Sequence, residues 1–96
     1  MALFVVQHRH EPETCPAQNP AMGAALLVHL APDSARRFEV EMHGEAVVDG
    51  AHTLYLIAEA PDAEHLRRFM EPFAQAGSVE ILPSSRCEIV VGRGRC

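Results

Sequence analysis

The sequence predicts a single α+β domain of β-α-β-β-α-β order, followed by a short extra strand. Three observations carry that prediction. Apolar runs of strand length recur at residues 2–8, 52–59 and 79–82, each bounded by proline, glycine or a polar turn. Between them lie two helix start signals, Asn19-Pro20 and Pro61-Asp62, each leading into apolar residues spaced three and four apart. A length of 96 residues suits one modest core. The expected boundaries are residues 1–92 for the domain and residues 93–96 for a flexible tail.

Residues 2–8 read as a strand, with Phe4, Val6, His8 and then His10 on one face and Leu3, Val5 and Gln7 on the other. Pro12, Pro16 and Pro20 follow closely, and their missing N–H donors force a loop. Asn19 caps a helix that opens on Pro20 and stops before Pro32, with Met22, Leu26 and Leu30 as its expected buried stripe. Phe38, Val40 and Met42 alternate with Glu39, Glu41 and His43, the period of an edge strand with one wet face. Asp49-Gly50 marks a turn, and the near-continuous run HTLYLIAE then suits a central strand covered on both faces. Leu66, Phe69, Met70 and Phe73 share one side of the second helix, which Pro72 kinks or ends and Gly77 closes. Residues 79–82 form the next strand, interrupted at Pro83. After a turn at Ser84-Ser85, residues 87–91 read as the extra strand, with a mobile GRGRC tail.

This element order is the ferredoxin-like split βαβ arrangement. Its helices cover one face of the sheet, so Leu3 or Val5, Tyr55 and Ile57 are left on a bare apolar face that a sheet-to-sheet homodimer would bury. A formal net charge of -5 repels phosphate backbones, and no basic stripe with interleaved aromatics is present, so nucleic acid is not an expected partner. No run approaches the roughly 20 apolar residues that span a bilayer, and MALFVVQH lacks the charged start of a secretion signal, so a cytoplasmic protein without membrane association is expected. Three cysteines do not make a disulfide framework, and a reducing compartment keeps them as thiols.

The stretch HTLYLIAEAPDAEHLRRFMEPFAQAGSVEILP resembles the second half of small ferredoxin-like proteins of the dimeric α+β barrel kind, in particular an uncharacterised family of about this length, some of whose members carry a sulfite oxidase label. The similarity spans roughly residues 38–91 and consists of strand, helix and proline placement. It implies a homodimer. It also implies kinship with a wider group that includes cofactor-independent monooxygenases, isomerases, haem-degrading enzymes and ligand-binding modules. A molybdopterin-dependent sulfite oxidase reading is set aside, because 96 residues are too few to enclose that cofactor.

The residues with most chemistry lie in HRHEPETC. Imidazole nitrogen and thiolate sulfur both favour Zn, Cu, Ni or Fe, and His8, His10 and Cys15 bring three such donors together at a strand end. If the first strand runs antiparallel beside the third, His52 arrives at the same place, and Cys15 can fold back to complete a tetrahedral set. The same residues also suit a solvated strand end with a small loop thiol. Cys87 is a small core residue or, if the last strand crosses to a partner, a further ligand. Glu41, His43 and Glu45 form a second group on the wet face, with His43 as a possible acid or base. They equally suit an ordinary charged edge. His29 lies on the apolar side of the first helix, either bonded to backbone or serving as a base in the cleft. His65 is expected at the surface, and so is Cys96. Two functions follow from different classes. One is a dimeric module that binds a transition metal ion. The alternative is a cofactor-independent α+β barrel enzyme of the monooxygenase or isomerase type, acting on a small organic substrate with His29 or His52 as base. No Ser-His-Asp spacing, phosphate-cradling loop or HExxH motif assigns a reaction.

Overall fold

A computed structural model describes residues 1–96. Four antiparallel strands, β1 (Ala2–His10), β2 (Glu41–Val48), β3 (Thr53–Ala60) and β4 (Gly77–Ser84), form one sheet in the order β2-β3-β1-β4. Five helices accompany them: α1 (Pro20–Leu30), α2 (Pro32–Arg36), α3 (Ala63–Phe69), α4 (Glu71–Ala74) and α5 (Cys87–Arg93). This architecture is compatible with a ferredoxin-like arrangement. No helix is long and apolar enough to cross a membrane.

One face of the sheet holds the core. Phe4 and Val6 of β1 and Leu54, Leu56, Ala58 and Ala60 of β3 are buried against Leu66, Phe69, Met70 and Phe73, the stripe expected of the second helical segment. Pro72 splits that segment into α3 and α4, which meet at Met70. Asn19 caps α1 as its sequence position implies, its side-chain oxygen accepting from the backbone N–H groups of Ala21 and Met22. Yet α1 holds no buried residue, and Met22, expected on the inner stripe, is 48% exposed. Leu26 and Leu30 of the expected stripe do pack, half-buried, against the core, while a cleft opens beside them.

Several expectations are corrected. Residues 87–91 are not an extra strand but the body of α5, in which Ile89 and Val91 face outward. A short aliphatic run such as residues 89–91 fits either element. Its ends favour a helix: Glu88 in the first turn, Arg93 in the last, and Gly94 at φ 76, whose N–H bonds the carbonyls of Val90 and Val91. Cys87 is therefore exposed rather than a core residue. The second strand begins later than Phe38. Residues 35–40 instead terminate α2, with the Val40 N–H donating to Ala35 and the Glu39 N–H to Arg36 around Glu39 at φ 59. That strand is an edge strand as expected, but a bulge at His43 shifts its register from Met42 opposite Ala58 to Gly44 opposite Ile57. The bulge turns Glu45 to the face opposite Glu41 and so removes it from the expected trio. The central strand β3 is covered on one face only: Tyr55 and Ile57 on the other are 37% and 47% exposed.

Candidate metal centre

Strand pairing builds the centre. β1 runs antiparallel to β3, with His8 opposite Leu54 and Arg9 opposite Thr53, so the exit of β1 meets the approach to β3. The backbone N–H of His10 donates to the carbonyl oxygen of His52 at 3.1 Å. His52 is not within the strand as the sequence suggested. It sits in the turn at φ 48, a left-handed conformation that few non-glycine residues adopt and that often marks a functional position.

On its other side β1 pairs with β4, where His10 lies opposite Gly77. A Cβ on Gly77 would fall 2.1 Å from the carbonyl oxygen of Arg9, so only glycine allows β4 to approach there. The Cys15 loop is tied down in turn. Cys15 lies between two 3-10 turns, Pro12–Thr14 and Pro16–Gln18, each opened by its proline. The Thr14 hydroxyl reaches the carbonyl of Ala76 at 3.3 Å, beside the start of β4, and the Gln18 amide donates to the Pro12 carbonyl at 3.1 Å.

These supports bring His10, Cys15 and His52 together, with one donor atom from each lying within 4.8 Å of the others. The rings of His10 and His52 meet edge to face at 5.2 Å, and His8 stacks on His10 at 5.3 Å. A tetrahedral zinc with two nitrogen ligands and one sulfur ligand would separate its donors by about 3.3–3.6 Å, so small side-chain rotations would close the set. Both ring nitrogens of His10 are buried and have no hydrogen-bond partner. A neutral imidazole carries one donor and one acceptor, and burying both unpaired is unfavourable unless something binds them.

His8 lies beside this trio but outside it. Its ring is 2% exposed, and its Nδ1–H donates to the carbonyl oxygen of Ser78 at 3.1 Å. A carbonyl can only accept, so Nδ1 carries the proton and Nε2 holds a lone pair, which is buried and unpartnered. Burial pushes His8 below the ordinary histidine value; the Ser78 bond opposes this and the neighbouring His10 adds to it. Burial also lowers His10, with a contribution from His52. Both rings are thus held neutral at neutral pH, the state in which imidazole nitrogen binds metal.

The remaining histidines have other partners. His29 donates from Nε2 to the carbonyl oxygen of Phe69 at 2.6 Å and stacks on the Phe69 ring at 4.6 Å, which satisfies a carbonyl at the end of α3. His43 bonds Glu59 at 3.1 Å, and Arg86 reaches the same carboxylate at 3.2 Å. The His43 hydrogen bond is the main reason that Glu59 titrates below the ordinary carboxylate range. Glu41, His43 and Glu59 form a second close group of possible ligands, already satisfied in part by Arg86. Glu59 was missed by sequence reasoning because it joins Glu41 through strand register, which no local pattern discloses. His65 bridges Asp62 at 2.7 Å and Glu39 at 2.9 Å. Cys87 and Cys96 are exposed, and neither belongs to a close ligand group.

Compared with known proteins, no curated protein and no solved structure matches this chain. A family model does, over residues 2–92, described as a domain of unknown function, DUF3303; that description carries neither a ferredoxin-like nor a sulfite oxidase label. With that match covering nearly its whole length, the chain belongs to the DUF3303 family.

Proposed function

We propose that this protein binds a transition metal ion, Zn, Cu, Ni or Fe, through His10, Cys15 and His52. The observation that carries the reading is the meeting of three N/S donors within 4.8 Å around an imidazole whose nitrogens are both buried and unpaired. Two nitrogens and a thiolate suit a borderline ion better than Mg or Ca, and three protein ligands leave a fourth position for water or a small ligand. His8 stacks behind His10 and helps fix its ring plane, while Cys87 lies outside the set. The unpaired thiols suit a reducing cytoplasm.

A homodimer packed sheet to sheet completes the proposal. Tyr55, Ile57 and Leu82 are exposed on the face away from the helices, next to half-buried Leu3 and Val5, and only 15 of 96 residues are buried in the single chain. An apolar face beside so small a core favours a second copy as its cover.

Elemental analysis of purified protein tests the metal reading. Wild type and His8→Phe should retain about one equivalent of metal per chain, whereas Cys15→Ser/His52→Ala should lose it. Equal metal content in wild type and the double variant would remove the proposal.

A further inference from the structure

The His10, Cys15 and His52 group opens onto a cleft under α1. Its volume is about 320 Å³; Leu26, Leu27 and Leu54 contribute to its apolar wall, and His10, Cys15 and His52 line it as well. A second hollow of about 410 Å³ adjoins it across His8, Leu26 and Phe73. The first cleft alone has about twice the volume of the roughly 150 Å³ apolar cavity that accepts benzene. It sits at the small end of the range for organic-ligand sites, which combine apolar walls with a few placed polar atoms.

One such polar atom belongs to His8. His8 is 2% exposed and lines both hollows, and its Nε2 lone pair has no partner. The Ser78 carbonyl fixes the opposite tautomeric position, so Nε2 can only accept while the ring is neutral. Anything that fills the cleft on the α1 side therefore meets a largely apolar wall and this buried acceptor, with the unpaired ring nitrogens of His10 lining the same space. A charged group would lose its hydration there without an opposite charge to replace it. A purely apolar molecule would leave the acceptor orphaned.

We propose that this cleft binds a small, uncharged, mostly apolar molecule bearing one hydroxyl or N–H group, which donates to Nε2 of His8. The cleft is shared with the proposed metal centre, whose three ligands line it, but the acceptor belongs to His8, outside that group, so the inference does not require a bound metal. Binding closes the space between α1 and the sheet, burying Leu26 and Leu27 from the helix side.

The test uses the full chain in EDTA, so that its outcome is separate from that of the metal proposal. Two probes of similar shape, 4-ethylphenol and 4-ethylanisole, are titrated and followed by NMR at the methyl groups of Leu26, Leu27 and Leu54. Both should give saturable shifts, with the phenol binding roughly 5- to 10-fold tighter, the value of one added hydrogen bond. His8→Phe should abolish that preference by weakening the phenol alone. Leu27→Trp, a change at an exposed rim position, should weaken both probes. The inference is overturned if the wild type binds neither probe at these methyls, if it binds both equally, or if the preference survives in His8→Phe.

Discussion

Replacing His10 with leucine should have opposite effects on stability with and without metal. In the metal-free protein both ring nitrogens of His10 are buried without partners, and an unsatisfied buried polar group destabilises by about 1–3 kcal/mol. His10→Leu removes that penalty and offers an apolar side chain to Leu27, Val47 and Leu54 across the cleft. A net gain of about 1–2 kcal/mol is expected in EDTA, equivalent to roughly 5–15 °C in Tm for a domain of this size. With zinc at about 100 times its Kd, the wild type gains about 2.7 kcal/mol by mass action, while the variant, lacking a ligand, gains little. The order should then reverse, with the wild type about 1 kcal/mol the more stable. Thermal melts of both proteins in EDTA and in zinc check this. A variant less stable than wild type under both conditions would refute the account of His10 as an orphaned ligand.

Three other outcomes are expected. Gly77→Ala should destabilise by about 1–3 kcal/mol, since the new Cβ meets the Arg9 carbonyl at 2.1 Å, and should also weaken zinc binding by displacing the His10 end of β1; chemical denaturation and chelator competition measure the two effects. His65 is raised by its bond to Asp62, and that stabilisation is full below the ordinary histidine value of 6.5 and fades as pH rises through the raised one. Asp62 is lowered by the same bond, so its share is full above 3.8 and fades as pH falls through the lowered value. The stability difference between wild type and His65→Ala, read from urea melts, should peak between those two values and shrink on either side; a flat difference would remove the ion pair as its cause. Ile57→Lys, placing a charge in the middle of the bare sheet face, should shift the protein from dimer to monomer in light scattering, whereas a wild type that is already monomeric would dispose of the sheet-to-sheet pairing.

Elements with a strong period or a strong cap were legible in the sequence. The β1 alternation, the Asn19 cap and the Leu66, Phe69, Met70 and Phe73 stripe all reappear in the fold. Residues 87–91 were not, because a short aliphatic run carries no period and its Gly94 cap was read as part of a mobile tail. The bulge at His43 was also hidden, since one extra residue in an edge strand leaves the local pattern intact while reversing which face Glu45 takes. At the centre, the approach of His52 to His10 followed from antiparallel topology alone. The separation of His8 from the other ligands did not, because it depends on a backbone carbonyl, that of Ser78, which no side-chain pattern announces. The looseness of α1 was only partly visible: Leu26 and Leu30 pack against the core as their spacing implies, but nothing in that spacing shows that Met22 stays exposed.

X-ray absorption at the metal edge of the zinc-loaded protein bears most directly on the central claim. Sulfur at about 2.3 Å and nitrogen at about 2.0–2.1 Å should appear together, with the sulfur shell lost in Cys15→Ser and the nitrogen shell reduced in His52→Ala. A shell of light atoms only, unchanged by either substitution, would contradict a centre built from His10, Cys15 and His52.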